Sequence, residues 1–145
     1  MDARTTAMTA DELQQFLADE FPQIEGFNFR IESVGPDGAR IRMPVDHAHL
    51  RPGGTVSGPT MMTLADVSMY VSVLARIGPV GLAVTTGLTI NFLRKPALAD
   101  LVAETRLLKL GKQLAVGDVT IYSDGVDGPV AHASLTYSIP PRNGQ

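Results

Sequence analysis

Residues 55–74, TVSGPTMMTLADVSMYVSVL, read as a single helix that is apolar nearly all round. Such a helix needs cover on most of its sides. The segments around it must supply that cover, and this requirement narrows the fold more than any other feature of the chain. One residue breaks the pattern. Asp66 stands in the middle of the apolar run, and a buried carboxylate is costly unless it is paired or put to use.

The flanking sequence indicates where the cover comes from. TADELQQFLADEF predicts a helix. Thr9 and Glu12 fit a capping box, Leu13, Phe16, Leu17 and Phe21 recur at helical spacing, and Pro22 ends the run. FNFRIESVG and ARIRMPV are short alternating runs on either side of GPDG, the pattern of a hairpin. In the second run Ile41, Met43 and Val45 share one face, and Arg40 and Arg42 the other. Residues 46–58 form a polar, glycine-rich loop. The apolar helix is expected from about Pro59 to Arg76, with Pro in its first turn and IGPVG as its stop. LAVTTGLTINFLRK, DLVAETRLLKLG, QLAVGDVTIYSD and PVAHASLTYSI then read as strands, with LGKQ and DGVDGP as turns between the later ones. Helix, hairpin, one long apolar helix and an antiparallel meander make an α+β layout, a strongly curved sheet wrapped around the helix. We expect one domain over residues 1–145, with loose tails at 1–8 and 140–145.

Composition excludes several classes of function. The net charge of −3 leaves no basic field for a nucleic-acid backbone. No cysteine is present, so disulfides, thiolate metal sites and a cysteine nucleophile are ruled out. The first residues, MDARTTAMTADELQQF, lack the apolar core of a signal peptide. The stretch 61–77 carries Asp66, Thr63, Ser68, Ser72 and Arg76 and is too short and too polar to read as a membrane span. A cytoplasmic location, with no membrane partner, is the expectation. TVSGP lacks the G-x-S-x-G elbow of serine hydrolases. His47, His49 and His132 have no third partner at metal spacing and are expected to be solvated, so no metal is implied.

GGTVSGPTMMTLADVSMYVSV, VTTGLTINFLRKPALAD, LLKLGKQLAVGDVTIYSDG and PVAHASLTYSI, in that order and spacing, resemble the hotdog-fold acyl-CoA thioesterases of the PaaI-like group. The resemblance covers roughly residues 27–139. It implies a central helix held in a curved antiparallel sheet, joined edge to edge with a second copy, and sites at the dimer interface; many members are dimers of dimers. It also implies roles for particular residues. The carboxylate of the family's LAD motif falls on Asp66, which would act as nucleophile or as the base that activates water. The oxyanion donor falls on the Gly58 backbone N–H, and the residue that orients water on Thr85. The family His is Ser57 here and the family Asn is Arg51.

Each residue also has a reading that needs no catalysis. Asp66 would serve equally as a structural carboxylate paired at a dimer contact. Ser57 is expected first as a helix N-cap, a role compatible with orienting a carbonyl. Gly58 would serve equally as a glycine that only ends the loop; read functionally, it offers an unpaired N–H at a helix start, where an oxyanion can bind. Pro59 has no N–H, which directs that expectation to Gly58. Arg94, Lys95 and Lys112 are candidate cations for coenzyme A phosphates, although charges at strand ends are commonly just solvated. Met61, Met62 and Met69 are expected as core packing. The leading expectation is a thioesterase for a small or medium acyl-CoA, aromatic acyl groups included. It needs no cofactor beyond the coenzyme A of its substrate, and it works as a homodimer or a dimer-of-dimers homotetramer. The alternative is a non-catalytic hotdog protein that binds acyl-CoA or acts as a scaffold. A dehydratase is less supported, since no His precedes an acidic partner in the order elimination would need.

Overall fold

The computed structural model describes residues 6–141. The first helix, α1 (Ala10–Glu20), begins at the predicted capping box. The Glu12 N–H donates to Thr9 Oγ1 at 3.1 Å, and the Thr9 N–H donates to Glu12 Oε1 at 2.9 Å. Pro22 opens a 3-10 turn, Pro22–Phe27. The hairpin follows as β1 (Arg30–Gly35) and β2 (Gly38–Met43). Ile41 and Met43 are fully buried and Val45 packs partly against the core, while Arg40 and Arg42 point outward into ion pairs.

The loop before the central helix is more structured than its composition suggests. It holds a 3-10 turn (His47–His49) and two short paired strands, β3 (Leu50–Arg51) and β4 (Thr55–Val56). The central helix α2 runs over Gly58–Ile77, about a residue longer at each end than expected. Its length and apolarity alone would allow it to cross a membrane, but 72% of its most apolar window is buried inside the protein, as for a core helix. The remaining strands are β5 (Val84–Phe92), β6 (Leu101–Leu110), β7 (Leu114–Ser123) and β8 (Ala131–Ser138).

These six longer strands form one antiparallel sheet in the order β1-β2-β6-β7-β8-β5. The chain leaves α2 and lands at the far edge, so β5 pairs with β8 and has no strand neighbour on its other side among the described residues. Inward positions alternate along the strands, for example Ala131, Ala133, Leu135 and Tyr137 on β8. The concave face encloses α2 and buries thirteen of its residues, among them Leu64, Met69, Val71 and Leu74. At the opposite edge α1 covers β1. The Gln14 amide donates to Phe29 O at 2.8 Å and accepts from the Ile31 N–H at 2.9 Å, standing where another strand would pair.

One expectation about the ends is corrected. Residues 7 and 8 are not loose, because the N–H groups of Ala7 and Met8 both reach Ala75 O, at 2.6 and 3.3 Å, and Met8 is buried. They supply partners that the last turn of α2 lacks internally. Residues 1–5 and 142–145 lie outside the described residues.

Candidate active site

Asp66 lies eight residues after Gly58, about 12 Å along the helix at 1.5 Å per residue. The two candidates therefore belong to separate hollows of one chain. Asp66 sits half-buried at the wall of a pocket of about 480 Å³, together with Phe21, Val67, Tyr70, Thr85 and Tyr137. Gly58 opens into a groove of about 740 Å³ that also holds Arg51, Phe92, Arg94 and Lys95.

At the Asp66 end the structure brings Thr85 to the carboxylate. The Thr85 hydroxyl donates to Asp66 Oδ1 in a short hydrogen bond. The Tyr137 hydroxyl donates to the same oxygen at 2.8 Å and also stands 3.0 Å from the Asp66 main-chain carbonyl. Thr85 and Tyr137 are direct partners across the β5–β8 ladder, so register sets their convergence. Burial, and then the negative charge of Asp66, raise the Tyr137 phenol well above its ordinary range, which keeps it a donor. Tyr70 packs beside Tyr137 with ring centroids 6.3 Å apart, and its hydroxyl donates to Gly81 O at 3.2 Å.

At the Gly58 end Ser57 is the N-cap. Its Oγ accepts from the Thr60 N–H at 3.2 Å. Gly58 is the first helical residue, and its N–H has no partner within the helix. The Phe92 ring lies against it, so closely that a Cβ built on Gly58 would stand 3.2 Å from the ring. Arg51, Arg94 and Lys95 give this groove three cations and no carboxylate in its lining. Arg94 is not wholly free for a ligand, since it donates to Pro129 O at 2.7 Å. Lys112 is elsewhere. It lies in the turn between β6 and β7, at the end of the sheet where Leu114, Ser138 and Val84 stand side by side, which is the Asp66 end.

The histidines depart from the expectation of solvation. His49 is buried at 3% exposure. Its ring stacks on Phe27 at 5.5 Å and its Nδ1 accepts from the Asp46 N–H at 3.0 Å. Its carbonyl accepts from the Ser57 N–H at 2.9 Å and from the Thr60 hydroxyl at 3.3 Å, which ties the 3-10 turn to the start of α2. His132 is half-buried, with Nε2 3.2 Å from Asp118 Oδ2. His47 is exposed as expected.

Sequence reasoning misses Tyr137 and Phe92. Strand alternation signals that Tyr137 faces inward, but only the β5–β8 register reveals that it meets Asp66. Phe92 reads as an ordinary strand residue until α2 is placed beside the end of β5.

The thioesterase superfamily model matches residues 53–138. A provisionally named esterase of Pseudomonas aeruginosa, PA0474, is 32% identical over 102 residues, covering 69% of this chain and 74% of that protein. A crystal structure of a provisional thioesterase from Silicibacter sp. TM1040 is 47% identical, covers 97% of each chain and superposes with a TM-score of 0.87. The E. coli PaaI protein from the phenylacetic acid degradation operon is 22% identical, covers 91% of this chain and 94% of its own, and has a TM-score of 0.77; that likeness bears on the fold. With the central helix, the six-stranded sheet and these matches together, the chain belongs to the thioesterase superfamily and has its hotdog fold.

Proposed function

We propose that the protein hydrolyses the thioester of a small or medium acyl-CoA, at two equivalent sites shared between the protomers of a homodimer. The observation that carries this reading is the division of the site between the ends of β5. Thr85, bound to Asp66, stands at its start, and Phe92, against Gly58, at its end. Antiparallel pairing of β5 with a second copy, about a two-fold axis near the middle of the strand, sets the start of one β5 beside the end of the other. The Asp66 pocket of one protomer then adjoins the cationic groove of its partner. The free edge of β5 and the exposed Leu82, Val84, Phe92 and Leu93 around it suit burial against that copy. Two such dimers would make the tetramer.

In this arrangement Arg51, Arg94 and Lys95 hold coenzyme A phosphates, and Lys112 stands on the Asp66 side of the same cleft. The Gly58 N–H polarises the thioester oxygen and holds the oxyanion as it forms. Asp66 acts as nucleophile or general base. As base it takes a proton from water while the water oxygen attacks the carbonyl carbon. The C–S bond then breaks, the proton passes to the departing thiolate, and a carboxylic acid and free coenzyme A result. Phe21, Tyr70 and Tyr137 wall the Asp66 pocket and suit a small or flat acyl group, aromatic ones included.

Asp66→Asn tests the reading. It keeps the size and removes the charge, so turnover should fall by roughly a hundredfold or more, the usual scale for loss of a general base. Thiol release from acetyl-, hexanoyl- and benzoyl-CoA, measured beside the melting temperature and sedimentation, separates chemistry from assembly. An assembled Asp66→Asn protein that hydrolyses at the wild-type rate overturns the catalytic assignment and leaves an acyl-CoA-binding protein as the better reading.

A further inference from the structure

We infer that Tyr137 is a positioning residue for Asp66, and that the Oδ2 atom of Asp66 is the oxygen that meets water or the thioester; this rests on the catalytic reading of Asp66 given above. Both hydrogen bonds to the carboxylate land on Oδ1, one from Thr85 on β5 and one from Tyr137 on β8. Oδ2 accepts none among the described residues. Unlike Ser68 Oγ and Thr105 Oγ1 it is not a buried atom left without a partner, and it belongs to a residue that lines the pocket. The carboxylate is therefore gripped by one oxygen and presents the other.

Grip of this kind matters for an aspartate. Its terminal torsion is broad and roughly two-fold, so an unheld carboxylate swings and exchanges its oxygens. Two donors fixed in adjacent strands remove that freedom. The reacting oxygen is then kept at one place and one angle, which is where orientation lowers a barrier. Tyr137 is suited to the task because its surroundings hold it. It is 3% exposed, packed beside Tyr70, and anchored a second time by the Asp66 main-chain carbonyl. Thr85 gives its hydroxyl proton to Asp66 and keeps lone pairs that can accept from a water in the pocket. A packing role alone would leave Tyr137 acting on stability and not on the chemistry of Asp66.

The test is a double-mutant cycle with hexanoyl-CoA as probe: wild type, Tyr137→Phe, Asp66→Asn and the double variant, each measured for kcat, KM and melting temperature. Tyr137→Phe should lower kcat about tenfold with KM within about twofold of wild type. In the Asp66→Asn background the same change should have no further effect on the residual rate, because its route through the carboxylate is gone. An unchanged kcat, or an equal proportional loss in both backgrounds, overturns the inference. Should Tyr137→Phe fail to assemble, Thr85→Val removes the other donor, and the same cycle applies. A Thr85→Val protein that assembles and turns over at the wild-type rate overturns the grip on Oδ1. The two readings fail differently: a silent Asp66→Asn removes the catalytic carboxylate itself, whereas a dead Asp66→Asn with a silent Tyr137→Phe removes only the positioning role.

Discussion

Glu32 lies on the outer face of the sheet between two arginines. Its Oε2 accepts from Arg42 Nε at 2.8 Å and its Oε1 from Arg40 Nε at 2.9 Å. Those two donors, Arg42 first, hold its carboxyl below the usual carboxylate range. A carboxylate depressed in the folded state stabilises the fold above its unfolded value, near 4.3, and that contribution is lost as pH falls through the lower folded value. Glu32→Gln should therefore lower the melting temperature at pH 7, and the gap from wild type should narrow when both proteins are melted near pH 3. The gap should be a few degrees at most, because exposed ion pairs are worth up to about 1 kcal/mol. Equal gaps at both pH values would show that the carboxylate charge contributes nothing. Asp66 makes the contrast. Its donors are neutral hydroxyls that converge on one oxygen in a half-buried pocket, a pattern for aiming a group more than for stabilising a fold. Residue by residue, the sequence shows what is local. Ser57 as a cap and Thr9 with Glu12 as a capping box need only three residues of context. Tyr137 against Asp66 is invisible there, since their contact depends on how β8 registers with β5 and how α2 lies over both.

The elements fit closely at two glycines, and at one of them, Gly117, the fit makes room for α2. A Cβ on Gly117 of β7 would stand 2.9 Å from Met69 Sδ and 2.8 Å from Arg106 O. Met69 is fully buried, and the missing side chain is the space its sulfur fills. A Cβ on Gly38, at the start of β2, would stand 1.8 Å from Thr105 O. There the β1–β2 hairpin meets β6, and the Leu107 N–H donates to Asp37 O at 2.7 Å. Both alanine substitutions should destabilise, on the scale of about 1–3 kcal/mol or more for overpacking. Gly38→Ala should cost more than Gly117→Ala, because its Cβ would overlap main chain at 1.8 Å, whereas on Gly117 the main-chain contact is 2.8 Å and the other neighbour is a flexible methionine side chain. Urea unfolding of the two variants ranks them, and a Gly117→Ala midpoint below that of Gly38→Ala would contradict the packing described here. At this scale most of the fold is legible: the two helices, the hairpin and the four later strands lie where periodicity and turn residues place them. The exceptions have physical causes. β3 and β4 are two residues each, too short for any period to register. His49 is polar, so its burial follows only from the Phe27 ring and the Asp46 N–H that receive it. Nothing in the alternation of β5 says that it crosses to the far edge and pairs with β8.

For the whole molecule, the separation of Gly58 from Asp66 is the decisive fact. Within one chain the two cannot reach one thioester carbonyl, since the helix holds them about 12 Å apart along its axis. A shared site makes a prediction that no single-chain site makes. Gly58→Pro removes the proposed oxyanion donor, at the cost of a Cβ 3.2 Å from the Phe92 ring, which must give way. Asp66→Asn removes the charge. In the proposed homodimer each variant alone places one defect in every site, and each should be nearly inactive. When the two proteins are unfolded together and refolded at equal concentration, about half the dimers pair unlike chains by random association. In such a dimer one site combines both defects, while the other takes Gly58 from the Asp66→Asn chain and Asp66 from the Gly58→Pro chain and is intact. Half the dimers with one of two sites restored gives about a quarter of the wild-type turnover per chain. A site confined to one chain would recover nothing on mixing, because each chain would carry its own defect. Melting temperatures and sedimentation of both variants, taken first, establish that each one assembles. Thiol release that stays at the level of the separate variants, from refolded mixtures shown by mass to contain mixed dimers, would overturn the shared site.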